Sequence, residues 1–218
     1  MRYAVDKTIQ EVVNAVIDKL ARCVAHFVFA NEETHKFDED AYFYGFSVFL
    51  STITNVAFVL IAGLIMGCFF ESMLFMGAFV LLRIKAGGYH AKTHGRCIAL
   101  FTVTFIFSAV ILLYILEPYY LLCIFGCGGL GAIAIWEYAP AAAANKPVNH
   151  RKKEKLRDQC VIIATVFMAF AVIVYYIPFL QSSLFAFMFA GYGSAAISLI
   201  AAGKKSKGGR KNVEKAGV

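Results

Sequence analysis

The distribution of positive charge along the chain limits its fold more than any other feature. All 21 lysines and arginines fall into four groups, and three stretches of about 46, 49 and 46 residues between those groups contain none. A hydrophobic helix needs roughly 20 residues to cross a bilayer, so each stretch can hold two crossings and a short turn. The four groups lie within residues 2–36, 83–96, 146–157 and 204–215.

The composition agrees with a membrane protein. Hydrophobic residues make up 60% of the chain and charged residues 16%, which leaves too little polar surface to cover a soluble domain. The sequence therefore predicts an all-α polytopic membrane protein with about six transmembrane helices in three hairpins. Four spans with two re-entrant segments are the alternative. The predicted helices cover residues 41–66, 69–82 extended toward 86, 98–116, 119–138, 160–177 and 182–202.

The charge groups also predict the topology. Positively charged loops of membrane proteins stay on the cytoplasmic side, so both termini and both basic loops are predicted to be cytoplasmic. Retention of positive charge on one side of the bilayer explains the net charge of +7, so no nucleic acid partner is predicted. The domain prediction is one membrane domain over 1–203, with an amphipathic cytoplasmic helix at 1–35 and a basic disordered tail at 204–218. Its parts are hairpins at 41–86, 98–138 and 159–203, a polar loop at 83–97 and a cytoplasmic basic loop at 139–158.

The loop at 83–97 concentrates reactive side chains at the membrane boundary. It contains two of the five histidines, four cations and Cys97. Cationic neighbours such as Arg96 favour the thiolate form of a cysteine, and a nearby imidazole can activate such a thiol for acyl transfer. The loop is therefore the predicted catalytic loop.

Two histidines compete for the role of base. His90 and Cys97 would be about 10.5 Å apart along a straight helix, so this pairing needs the chain to fold back, which Gly95 would permit. His94 lies three residues before Cys97 and is the natural partner if the segment is helical. His90, His94 and Cys97 could instead bind zinc, although no glutamate follows His90 and the nearby Lys92 would repel a cation. No metal or other cofactor is predicted.

Two ordered motifs resemble the accessory gene regulator B family (AgrB), membrane endopeptidases of bacterial peptide quorum sensing. The first is Arg83, Gly88, His90-Ala91 and Cys97. The second is the block 138–142, followed by Lys146-Pro147 and a cationic run. The resemblance covers roughly residues 1–203. It implies that Cys97 is the nucleophile and His90 the base, against the local preference for His94.

The resemblance also implies a reaction. The substrate would be a short AgrD-like propeptide with an acidic C-terminal tail. Cys97 would displace this tail and form an acyl-thioester, from which a thiolactone or lactone ring closes. The cations Arg83, Lys85, Lys92 and Arg96 would attract the acidic tail, and Gly88 would permit close backbone approach. A homodimer is expected from the family. A peptide transporter or exporter, and a structural partner of a sensor kinase, are the alternatives to an enzyme.

Overall fold

The computed structural model describes residues 2–31, 39–87, 93–115, 119–140, 150–180 and 182–215. The regular structure of these ranges is entirely helical, which confirms the predicted all-α fold. A short 3₁₀ turn, Pro178–Leu180, precedes the last helix. The helices are α1 (Arg2–Asn31), α2 (Glu39–Ile65), α3 (Phe69–Ala86), α4 (His94–Tyr114), α5 (Tyr120–Tyr138), α6 (His150–Tyr176) and α7 (Ser183–Lys215).

Five helices in the described ranges are long and apolar enough to cross a bilayer, as the predicted membrane protein requires. Helix α3 has 18 residues but includes three charged ones, Glu71, Arg83 and Lys85, within that length. The sixth crossing therefore stays a prediction. The five segments are Tyr42–Ile65, Gly95–Tyr114, Tyr120–Tyr138, Glu154–Tyr176 and Ser183–Lys204.

Four helices extend beyond their predicted limits, and α2 does so by two residues, because it begins at Glu39 and not at 41. Helix α4 begins at His94, before the predicted 98, and α6 begins at His150, before the predicted 160. Helix α7 continues to Lys215, so residues 204–215 are helical where a disordered tail was predicted. Lysine and arginine favour helices, so the cationic runs at the start of α6 and at the end of α7 can remain helical beyond the apolar segments.

The helices divide into two compact units, Met1–Ala62 with Ala91–Val103, and Gly63–His90 with Thr104–Val218. The single membrane domain over residues 1–203 stays a prediction. In the first unit, α1 lies beside the start of α2. The Arg22 guanidinium lies 4.7 Å from the centre of the Phe43 ring, and the rings of Phe29 and Tyr42 meet edge to face at 6.4 Å.

Helix α1 carries two apolar strips. Ile17, Ala21 and Ala25 recur at helical spacing and are buried. A second strip of larger side chains remains exposed. It consists of Val12, Val16, Leu20, Val24 and Phe27. The amphipathic helix predicted at 1–35 is thus confirmed over the described residues, and its position along the cytoplasmic membrane surface remains a prediction.

Helix α7 is the centre of the second unit. Its apolar segment is 56% buried, against 28% for those of α5 and α6, and it packs against both α3 and α5. The Tyr192 ring stacks on Phe167 with centroids 4.2 Å apart, and Phe187 lies 6.2 Å from Phe105 of α4. Aromatic contacts therefore join α7 to its neighbours through the buried core.

The turn from α2 to α3 fixes the start of α3. The Cys68 N–H bonds the Gly63 carbonyl at 2.8 Å, and the Gly67 N–H bonds the Leu64 carbonyl at 3.3 Å. This pairing is the Schellman motif, whose αL position requires positive φ. Gly67 supplies it with φ of 73°, a conformation that glycine adopts without steric penalty.

Candidate active site

Cys97 lies in the first turn of α4. Thr93 precedes the helix as its N-cap, and the Thr93 hydroxyl accepts a hydrogen bond from the Arg96 N–H at 3.4 Å. The Thr93 carbonyl accepts the Cys97 N–H at 3.2 Å. The Cys97 side chain is half-buried, and Arg96 is exposed. The proposed nucleophile is therefore placed by helical geometry at the positive end of a helix.

A side chain from α1 also caps this turn. The Asn14 Oδ1 accepts a hydrogen bond from the Gly95 N–H at 3.0 Å. Gly95 is buried and is the second residue of α4. The sequence had suggested Gly95 as the place where the chain folds back, and this interpretation is wrong: Gly95 continues the helix that carries Cys97.

Three predicted site residues, Gly88, His90 and Lys92, lie outside the described residues. His94 is described by its backbone alone, as the first residue of α4. His94 and Cys97 are three residues apart, so they occupy neighbouring positions on one face of α4. The local argument for His94 as the partner of Cys97 therefore stays open, and so does the zinc alternative, which needs both histidines.

Arg83 is held in the last turn of α3. Its Nη1 donates a hydrogen bond to the Ser198 Oγ of α7 at 3.2 Å, and its guanidinium lies 5.4 Å from the centre of the Phe79 ring. Helix α3 ends at Ala86, and its C-cap is Gly87, whose φ is 76° and whose N–H bonds the Arg83 carbonyl. The position of the Arg83 side chain thus depends on the packing of α3 against α7.

Replacing Ser198 by alanine is expected to lower the free energy of unfolding by about 1–2 kcal/mol, because the substitution removes a hydrogen-bond partner of a charged group. Ser194→Ala is the matched control, since that hydroxyl bonds the Ala190 carbonyl of its own helix at 2.8 Å. Thermal unfolding in detergent measures both variants. Equal losses of stability would show that the Arg83 contact contributes nothing.

The other cysteines lie in different surroundings. Cys68 is buried in the turn before α3, and burial, followed by the Glu71 carboxylate, raises the pKa of its thiol. Cys68 therefore stays protonated at neutral pH and is a poor nucleophile. Cys160 is also buried in α6, and Cys123 and Cys127 face each other within α5 at 3.9 Å. Cys23 is exposed on α1.

Three supporting residues were not identified from the sequence. Thr93 had a local signal, because a threonine just before a helical segment is a common N-cap. Asn14 had been assigned to the polar face of α1, and Ser198 had been counted only as part of an apolar span. Their partners are 81 and 115 residues away along the chain, and no local pattern encodes such contacts.

Two comparisons with known proteins point to the same family. The model of the family described as accessory gene regulator B matches residues 21–199. A protein of Clostridium acetobutylicum, whose name describes it as AgrB-like, is 24% identical over 131 residues. That similarity covers 60% of this chain, and the chain spans 62% of the length of this relative. No solved structure matches the chain.

Proposed function

Because this chain belongs to the accessory gene regulator B family, we propose that it is a membrane cysteine endopeptidase that processes a quorum-sensing propeptide. The family match over residues 21–199 includes the whole segment from Arg83 to Cys97. The observation that carries the proposal is the position of Cys97, half-buried in the capped first turn of α4. A nucleophile on a rigid element is held in a defined position for attack.

The proposed reaction is acyl transfer through a thioester. The Cys97 sulfur bonds to the carbonyl carbon that joins the central part of the propeptide to its C-terminal tail. The amide C–N bond breaks, and His90 delivers the thiol proton to the leaving amine. A cysteine or serine side chain of the propeptide then attacks the thioester carbonyl and passes its proton to His90. The bond to Cys97 breaks, and a thiolactone or lactone ring closes.

The positive groups of the segment favour a substrate with an acidic tail. Arg96 is exposed next to Cys97, and Arg83 is fixed by Ser198. Together with Lys92, these residues would attract negative charge and keep the segment on the cytoplasmic side, where a propeptide is made. Gly88 would allow the substrate backbone to approach. We further propose that both termini are cytoplasmic and that the protein acts as a homodimer.

Exclusion of water supports ring closure over hydrolysis. An acyl-thioester exposed to bulk water would hydrolyse, whereas a site at the membrane boundary limits access of water. Exchange of one thioester for another changes little in free energy, so the proposed cyclisation to a thiolactone needs no nucleotide. The proposed chemistry therefore depends only on side chains of this chain and on the propeptide.

Co-expression with the propeptide tests the function. The wild-type chain is expected to yield a propeptide without its C-terminal tail, and mass spectrometry of acid-quenched protein should show the acyl group on the peptide that contains Cys97. Chelators should leave the yield unchanged, since the dyad needs no metal, and inhibition by chelators would favour the zinc alternative. Export of intact propeptide without trimming would identify a transporter instead.

A further inference from the structure

The first turn of α4 needs support from outside the helix. The first N–H groups of any helix have no partner within it, and glycine, here at position 95, is one of the poorest helix formers. The N-cap contact of Thr93 is 3.4 Å long, near the limit for a hydrogen bond. The contact from Asn14 to the Gly95 N–H is shorter, at 3.0 Å, and comes from a different helix.

Helix α1 presents Asn14 from its buried side. Asn14, Ile17 and Ala21 follow one another at helical spacing, so they share a face. Ile17 and Ala21 are buried, and Asn14 is half-buried. The contacts of Arg22 with Phe43 and of Phe29 with Tyr42 hold α1 beside α2 within the same unit. Asn14 therefore belongs to the buried face of a helix that also contacts α2.

We propose that Asn14 is a positioning residue for Cys97. Its side-chain oxygen accepts a hydrogen bond from the Gly95 N–H. This bond keeps residues 95–97 helical and thereby fixes the direction of the Cys97 side chain. Helix α1 thus contributes to thioester formation in addition to any contact with the membrane. The effect of Asn14 on cleavage rests on the proposed function. Its effect on the first turn of α4 rests on the contact with Gly95 alone.

The test compares Asn14→Ala with Asn14→Asp in the full-length protein in detergent or vesicles. Alanine removes the acceptor, and we expect about a tenfold lower rate constant for propeptide cleavage with little change in KM, since a small displacement of a reacting group strongly slows attack. Aspartate keeps an acceptor and suits the positive end of a helix, so it should restore at least half of the wild-type rate. Lys19→Ala, an exposed change on the same helix, should match the wild type.

A second readout does not require a substrate. Alkylation of Cys97 by iodoacetamide, followed by mass spectrometry of the peptide, and hydrogen exchange of residues 95–97 report the local structure. Asn14→Ala should alter the alkylation rate at Cys97 and speed exchange at residue 95, whereas Asn14→Asp should change neither. A structural role elsewhere in α1 would leave both quantities unchanged at constant protein yield.

The outcomes separate the two proposals. Normal cleavage, alkylation and exchange in Asn14→Ala would overturn the positioning role, as would equal damage in Asn14→Ala and Asn14→Asp. If the wild-type protein does not cleave the propeptide, the proposed function fails, and alkylation and exchange still decide the role of Asn14. If Asn14→Ala does not accumulate, Asn14→Gln replaces it. One added methylene displaces the acceptor, so Asn14→Gln should show the faster hydrogen exchange at residue 95 that is expected of Asn14→Ala.

Discussion

Replacing Cys97 by alanine is expected to abolish trimming of the co-expressed propeptide, with a loss of about 10³-fold or more in the cleavage rate. In the proposed reaction this sulfur forms the covalent intermediate, and removal of such a nucleophile leaves only the acceleration that comes from substrate binding. Quantitative mass spectrometry of intact and trimmed propeptide measures the change. Cys97→Ala should also remove the acyl group from the protein, although the variant should still accumulate in the membrane.

Cys23→Ala is the matched control for this loss. Cys23 is an exposed thiol on α1, whereas Cys97 is half-buried, so exposure alone would predict the larger loss for the change at position 23. The capped first turn of α4 predicts that only the change at position 97 affects cleavage. Trimming at the normal rate by Cys97→Ala would contradict the proposal that the protein is a cysteine endopeptidase with Cys97 as its nucleophile.

Substitutions of the two histidines distinguish between the two candidate bases, His90, which the family resemblance implies, and His94, which the helical spacing favours. The resemblance predicts that His90→Ala is as inactive as Cys97→Ala, because the thiol loses its base and the leaving amine loses its acid. His94→Ala is expected to lose less than tenfold, mainly through its place at the start of α4. The reverse order of activities would make His94 the base, which the helical spacing of His94 and Cys97 permits.

The membrane helices were predictable because one property determines them. A run of apolar residues long enough to cross a bilayer has few other stable structures, and the described α2, α4, α5, α6 and α7 follow such runs. Their ends were less predictable. Charged residues such as those at the start of α6 extend a helix at little cost in water, so hydropathy marks the end of the apolar run and not the end of the helix.

The site was predictable at the level of residue type and less so in its geometry. Cys97 could be selected because its neighbours are cationic. The start of α4 at His94, which places Cys97 on a helix, depends on Thr93 and on the distant Asn14. Arg83 could be selected by resemblance, whereas its contact with Ser198 depends on how α3 packs against α7. Tertiary contacts of this kind leave no periodic pattern in a sequence.

The packing of α3 against α7 depends on one glycine. A Cβ at Gly191 would meet the carbonyl oxygen of Phe75, with the Phe75 carbonyl carbon at 2.8 Å and its Cα at 2.9 Å. These atoms belong to the α3 backbone, which cannot rotate away as a side chain can. Glycine at such a crossing lets two membrane helices approach closely.

Gly191→Ala is therefore expected to reduce the free energy of unfolding by about 3 kcal/mol, at the upper end of the usual penalty for overpacking. The matched control is Gly129→Ala in α5, where a Cβ would meet nothing within 4 Å. There alanine should stabilise the helix by up to about 1 kcal/mol, because it is the better helix former. Thermal unfolding in detergent measures both variants, and the two should shift the midpoint in opposite directions. A shared direction would mean that helix propensity, and not the close approach of α3 and α7, determines the effect of residue 191.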